Sequence, residues 1–464
     1  MAGIYIHIPF CKSRCYYCDF FSGISLTRRK ELLEMLHREL QMRITQANHV
    51  SSKAAVQHPS SDSDQASLSS TLLSEPAEDT TTSEGQQYTT LISLPETASI
   101  ETLYFGGGTP SLLTPQELGA FIRQVRQQWA HALLEEITVE ANPDDLTPEY
   151  LTALRQEGVN RLSIGIQSFH DRDLQWMHRR HTARSAIEAV RAARQAGFDN
   201  LSIDLIYGLP HMTLEEWRDN LQQALALRPE HLSAYHLTIE PQTPFGRAKA
   251  RGTLQEIDPE SSFAQYQLLR EFLCGAGYEH YEISNFALPG RRARHNSLYW
   301  HGVPYLGIGP SAHSFDGKRR QWNISHLGQY LERTPTAEQT ESETLTPDMQ
   351  YDEYLMTHLR TSDGVHTAVL ASRFGTERLH YFLQQAQRHL ATGDLVCTSG
   401  PVEASSTPLK LTPGQELITG STDALEELCS HTSTPAAAAK DRCYRIPAER
   451  WFISDGIISD LFAE

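Results

Sequence analysis

Cys11, Cys15 and Cys18 form a C-x3-C-x2-C cluster within the first twenty residues of a 464-residue chain. Thiolates are soft ligands that suit iron–sulfur clusters or zinc. The zinc reading needs a fourth ligand. His7 and Asp19 are near, but neither stands at a usual spacing, and structural zinc sites prefer paired C-x2-C units. A disulfide would leave one of the three cysteines over. Three thiolates on a [4Fe–4S] cluster would leave one iron without a protein ligand, open to a small molecule.

Other residues of chemical interest are spread along the chain. Gly106-Gly107-Gly108-Thr109 could bring backbone N–H and C=O groups close to a ligand, or could simply turn a strand into a helix. Glu140 (in EANP) and Gln167 (in GIQSF) close β-like runs, and Asp204 lies within one (SIDLIY). Each would face a ligand or hydrogen-bond a neighbouring loop. Arg179, in MHRRHT, could pair its guanidinium with a carboxylate or be a solvated helix charge. His295, in HNSLYW, stands among aromatic residues. Such a histidine can ligate haem iron, or can pack at a domain seam.

The elements that must position these residues alternate. Short β-like runs at 4–8, 100–105, 136–141, 161–166, 201–207 and 232–239 are each followed by a helix-like segment. The first helix carries Leu32, Leu33, Leu36, Leu40 and Ile44 on one face. Thr114-Pro115-Gln116-Glu117 and Thr213-Leu214-Glu215-Glu216 are capping boxes, and Thr147-Pro148 is a third helix start. Six βα units in a row predict an α/β fold with a parallel sheet, either a barrel or a doubly wound sheet. In both, ligands sit at the C-terminal ends of the strands, where the residues above fall. Beyond about residue 260 the pattern becomes a smaller α+β region. The boundaries this suggests are 1–260, 261–345 and 346–464, with Ser/Thr-rich insertions at 46–98 and 399–441 that read as disordered or flexible.

Composition excludes several classes. The formal net charge is −17, and such a chain does not attract phosphate backbones over its whole surface, so no nucleic-acid partner is expected. Seven cysteines, three of them clustered, fit a reducing cytoplasm better than a secreted disulfide framework. No run approaches the ~18–20 apolar residues that span a bilayer. The N-terminal MAGIYIHIPFCKSRC lacks a basic n-region and does not read as a signal peptide.

With these motifs in view, the chain resembles the radical S-adenosylmethionine (SAM) superfamily, and more specifically the HemW-type haem chaperones and the related oxygen-independent coproporphyrinogen III oxidases. The stretches that carry the resemblance are YIHIPFCKSRCYYCDF (5–20), YFGGGTPSLL (104–113), EANPDDLT (140–147), RLSIGIQSF (161–169), DLIYGLPHMT (204–213), LTIEPQTPF (237–245) and HNSLYW (295–300). The resemblance implies a partial (β/α)6 radical-SAM barrel with a smaller C-terminal, winged-helix-like α+β domain. It implies a [4Fe–4S] cluster on Cys11, Cys15 and Cys18, whose open iron chelates SAM and whose electron breaks the sulfonium C–S bond. It places Tyr5, Tyr17, Gly107, Gly108, Thr109, Glu140, Gln167, Arg179 and Asp204 against SAM, with further contacts near Ala234 and Ile308. It makes haem the cargo, held at His295 and passed to an acceptor protein, with a reductant as electron donor and a peripheral membrane contact allowed. The oxidases carry a fourth cysteine two residues after the third, where this chain has Phe20. Chaperone function is therefore expected, with oxidative decarboxylation of coproporphyrinogen III as the alternative, and no catalytic residue is assigned.

Overall fold

The computed structural model describes residues 1–56, 91–94, 99–332, 340–399 and 441–463. Six strands, β1 (Ala2–Ile8), β2 (Ile100–Gly107), β3 (Ala132–Ala141), β4 (Arg161–Gln167), β5 (Leu201–Tyr207) and β6 (His231–His236), lie side by side in chain order. Every neighbouring pair is parallel. The sheet continues beyond β6 through β7 (Glu279–Glu282) and β8 (Asn285–Ala287). Beyond β1 come β9 (Tyr305–Ile308), which is parallel to β1, then β10 (His313–Phe315), β11 (Arg319–Asn323) and β12 (Thr340–Thr344), which are antiparallel. The order β12-β11-β10-β9-β1-β2-β3-β4-β5-β6-β8-β7 leaves two free edges, so the barrel is partial.

Side-chain alternation explains why the strands curl around a site rather than a solid core. Ile4, Ile6, Ile8, Leu103, Phe105, Ile137, Val139, Leu162, Ile164, Ile203 and Leu205 are fully buried on one face. That face meets the helices, as the contact of Phe105 with Phe121 of helix Pro115–Gln128 shows. Successive strand residues point to opposite faces. The lumen therefore receives Tyr5, His7, Thr102, Tyr104, Glu136, Thr138, Glu140, Arg161, Ser163, Ser202 and Asp204. A parallel sheet buried on both sides usually reads as continuous apolar runs. Here the inner face is polar.

The helix starts follow the sequence signals. Thr114 and Thr213 each accept the N–H of the residue three ahead, and Glu117 and Glu216 complete the boxes. Thr147 accepts from the Tyr150 N–H, with Pro148 in the first helical position. A further box at Thr182 and Ser185 has no Glu or Gln and was not apparent from the sequence.

The C-terminal unit has a three-stranded sheet of β13 (Val365–His366), β15 (Arg442–Arg445) and β14 (Val396–Ser399), in that spatial order, with helices Pro347–His358, Thr367–Thr392 and Ser454–Ser459. The second helix breaks at Gly375, whose φ of 85° no helix accommodates. This is the α+β arrangement expected from the sequence.

The first insertion is shorter than expected. The helix that begins at Arg29 runs to Val56, and Leu91, Ile92 and Leu94 are buried. Its inner end is tied down because Arg43, itself buried, donates to the Ile92 carbonyl (3.1 Å) and pairs with Glu39 (3.1 Å). Residues 57–90 and 95–98 of that insertion, and 400–440 of the second, lie outside the described residues. Among the described residues, no helix is long and apolar enough to cross a membrane.

Candidate functional site

The three cysteines lie on the loop that leaves β1 at the C-terminal mouth of the barrel. Its neck is closed where the Cys11 N–H donates to the Gly23 carbonyl and the Gly23 N–H to the Pro9 carbonyl (both 2.9 Å). Its tip is tied across the mouth. The Tyr16 N–H donates to the Met177 carbonyl (3.1 Å), and Tyr16 stacks on His178 with ring centroids 4.5 Å apart. The loop is thus held at both ends while all three thiols stay half-buried.

The thiols have polar neighbours. The Thr109 hydroxyl donates to the Cys11 sulfur (3.4 Å), and the Arg179 guanidinium donates to the Cys15 sulfur (3.4 Å). Burial, with the nearby Cys15 and Cys11 adding to it, pushes the Cys18 thiol up to about 11, against the pull of the Phe20 N–H. Among the described residues, no three His, Cys, Asp or Glu close around a single metal ion. Three thiols on one loop suit a multi-iron cluster, in which each thiolate would bind a separate iron corner. The donor set of three soft sulfurs with one guanidinium suits such a group, since a positive neighbour stabilises thiolate.

Around this loop the strand ends converge. Glu140, at the end of β3, accepts the Tyr104 hydroxyl (2.8 Å) and the Gly107 N–H (3.1 Å). Burial raises its carboxyl to about 7, only partly offset by the Tyr104 hydrogen bond, and Asp204 across the lumen adds to the rise. Asp204 is also raised, first by burial, while accepting the Ser163 hydroxyl (3.1 Å). Arg179 donates to the Asn142 side-chain oxygen and to the Gly165 carbonyl (both 2.6 Å), so it is no solvated helix charge. Gln167 has φ of 69° at a register shift in β4, which re-aims its side chain at the strand end. Tyr5 donates to His7, whose other ring nitrogen donates to the Phe21 carbonyl (2.9 Å). Tyr17 contacts Cys15 and is raised by burial. Ala234 and Ile308 are buried wall residues of β6 and β9.

The glycines have a local reason as well. Gly107 has φ of +105°, and a Cβ there would sit 2.5 Å from the His7 ring. One on Gly108 would sit 2.6 Å from the Phe10 carbonyl oxygen. The triplet lets β2 end directly against the root of the cysteine loop. Asn142 and Tyr104 were not singled out from the sequence. Both lie in the quoted EANP and YFGGG stretches, beside residues that were, and polar character at a strand end was the available signal for Asn142.

Comparison with known proteins places the chain in a family. Residues 89–224 match the family model described as the Radical SAM superfamily. A protein named Heme chaperone HemW from Synechocystis is 34% identical over 81% of both chains. Its namesake from Lactococcus lactis is 31% identical over 80% of this chain and 84% of its own. The chain belongs to the HemW family. Among solved structures, the coproporphyrinogen III oxidase HemN from Escherichia coli superposes with a TM-score of 0.68 at 20% identity, covering 100% of this chain and 90% of that one, which establishes the shared fold.

The HNSLYW stretch lies in the helix Arg294–Trp300. Its histidine is not at the mouth. His295 is 1% exposed and lies against the first residues of β1 and β2, at the barrel floor. Its Nδ1 is 2.7 Å from the Thr102 hydroxyl and its Nε2 is 2.8 Å from the Tyr299 hydroxyl. Burial pushes it down to about 3, so the ring is neutral at pH 7. The expectation of an iron-ligating His295 thus meets a ring with both nitrogens engaged. Tyr299 would have to leave Nε2 before any iron could bind there.

Proposed function

We propose that this HemW-family chain is a haem chaperone with a radical-SAM core, binding haem and passing it to an acceptor protein. The observation that carries the reading is the match to HemW proteins over four-fifths of the chain, with Phe20 in place of a fourth cysteine. Cys11, Cys15 and Cys18 hold a [4Fe–4S] cluster. SAM lies across the mouth against Tyr5, Tyr17, Gly107, Gly108, Thr109, Glu140, Gln167, Arg179 and Asp204. When bound, the cluster supplies an electron to SAM, delivered by a cellular reductant.

The chain's own residues orient and shield. Thr109 and Arg179 hold Cys11 and Cys15 by their sulfurs, and Tyr16 pins the loop by stacking on His178. Glu140, anchored by Tyr104 and Gly107, presents a hydrogen-bond acceptor at the mouth. The cytoplasm is the compartment this chemistry suits, because thiols and an iron–sulfur cluster persist under reducing conditions.

The test is a pair of assays on reconstituted protein. Haem titration should give saturable, stoichiometric binding with a Soret change, and loaded protein should lose its haem to an apo-haemoprotein. Under anaerobic reducing conditions with SAM, coproporphyrinogen III should keep all its carboxyl groups. Loss of two carboxyl groups per molecule would make the chain an oxidase instead. The cluster assignment is checked separately, since Cys15→Ala should abolish bound iron and sulfide.

A further inference from the structure

A cleft opens between the barrel flank and the C-terminal helices, with a cavity volume of about 170 Å³ that widens to about 710 Å³ when the open solvent at its mouth is counted. Tyr299, Trp300 and Tyr305 line one side, and Tyr354, His358 and Arg373 the other. Two of these come from the HNSLYW motif, whose histidine does not reach the cleft. We propose that this cleft is the seat of haem, that His358 is the axial ligand to its iron, and that His295 is a positioning residue that holds Tyr299 in the cleft wall. The proposal rests on the haem-chaperone reading above and adds where the cargo sits.

Four features of the cleft match a flat, apolar macrocycle with two carboxylate tails. First, His358 Nδ1 lies 2.9 Å from the Tyr354 carbonyl, which can only accept, so the proton sits on Nδ1. Nε2 then carries a lone pair, and it has no hydrogen-bond partner among the described residues. A neutral imidazole with its other nitrogen donating to a carbonyl is the form that ligates metals. Burial, with His301 nearby, lowers His358 to about 4 and keeps it in that form.

Second, the walls are aromatic from both sides, which suits a ring that must be covered on each face. Third, the cations differ in availability. Arg320 is paired with Glu353 at 2.7 Å, whereas Arg373 lies over Tyr354 (5.7 Å) and has no carboxylate partner among the described residues. An unpaired guanidinium at a cleft rim fits a propionate. On the opposite wall the Trp300 indole N–H is buried and has no hydrogen-bond partner among the described residues. Fourth, the cleft is open, so a bound macrocycle would keep an edge in solvent from which an acceptor could take it.

His295 acts from behind. It is sealed in the floor, and through Nε2 it fixes the Tyr299 hydroxyl, whose ring forms part of the cleft. On its other side it stacks on Tyr104 (5.0 Å between centroids), which donates to Glu140 at the mouth. A packed path therefore joins the cleft to the proposed SAM site.

The test is haem titration of the full-length, cluster-loaded protein, followed by absorption and resonance Raman spectra. His358→Ala should weaken binding at least tenfold and change the axial-ligand signature, and added imidazole should restore the spectrum. Arg373→Glu should weaken binding several-fold with the spectrum unchanged. His295→Ala should weaken binding while leaving the axial-ligand signature of wild type. If His358→Ala binds haem with wild-type affinity and spectrum, or if His295→Ala is the variant whose iron signature changes, the proposal is overturned. Wild-type protein that shows no saturable binding would overturn the haem reading itself. Thermal melts of each variant separate loss of the site from loss of the fold.

Discussion

The mouth and the floor of the barrel are built from the same strands by the same alternation, yet they treat polar groups in opposite ways. At the floor, the Glu136 carboxylate accepts the backbone N–H groups of His295 (2.9 Å) and Arg294 (3.0 Å) and faces buried Arg161. Thr102, His295 and Tyr299 satisfy one another in a chain. At the mouth, Glu140 is held by two donors but is still pushed up to about 7, and its neighbour Asp204 is raised as well. Two carboxyls that share a lumen cost stability unless something else arrives. The floor is a plug that closes the barrel and carries the HNSLYW helix. The mouth is a site kept under electrostatic tension, as ligand sites commonly are.

Removing a carboxylate should therefore have opposite signs at the two ends. Glu136→Ala strands Arg161 and two helix N–H groups, and should cost about 3–5 kcal/mol in the denaturant midpoint of the cluster-free protein. An unchanged midpoint would mean that the floor does not depend on that pairing.

At the mouth, Glu140→Gln should stabilise the cluster-free protein at pH 8, by about 1–3 kcal/mol. The sign follows from proton uptake. With a folded value of about 7 against an ordinary 4.5, the native state binds the extra proton between those values. The contribution to stability is fully present below 4.5 and is lost as pH rises through 7. The gap between variant and wild type should thus shrink to near zero at pH 4.5. A gap that widens on acidification would reverse the assignment.

The smallest effect belongs to the rim of the mouth. Lys12 donates to Asp145 at 2.5 Å but is itself half exposed, and Asp145 keeps Ser111 and Arg180. Lys12→Ala should cost no more than about 1 kcal/mol, because water screens an exposed pair. A loss comparable to that at Glu136 would show that the rim is as rigid as the floor.

Much of this was legible in the residues. The six β-like runs became β1 to β6, the last ending at His236 rather than running on to 239, because its ladder partner β5 ends at Tyr207, opposite His236. The capping signals at Thr114, Thr147 and Thr213 are local, so a short stretch of sequence was enough to place them. The first insertion was drawn too wide because a helix with few apolar residues after Ile44 gives little periodic signal, while Arg43 finds its partners at Ile92, Gln321 and Asn323 far along the chain.

By itself the sequence determined the soft-ligand loop, the repeated strand–helix order and the polar residues at strand ends, since each depends on residue type and short spacing. Only the tertiary structure decided that Glu140 and Asp204 share one lumen and that Arg179 reaches a cysteine sulfur. It also decided that His295 is closed in while His358, 63 positions on, lines the cleft that Trp300 also lines. Those outcomes depend on which faces the curling sheet and the C-terminal helices bring together. No local pattern records them, because the contacts join residues far apart in the chain.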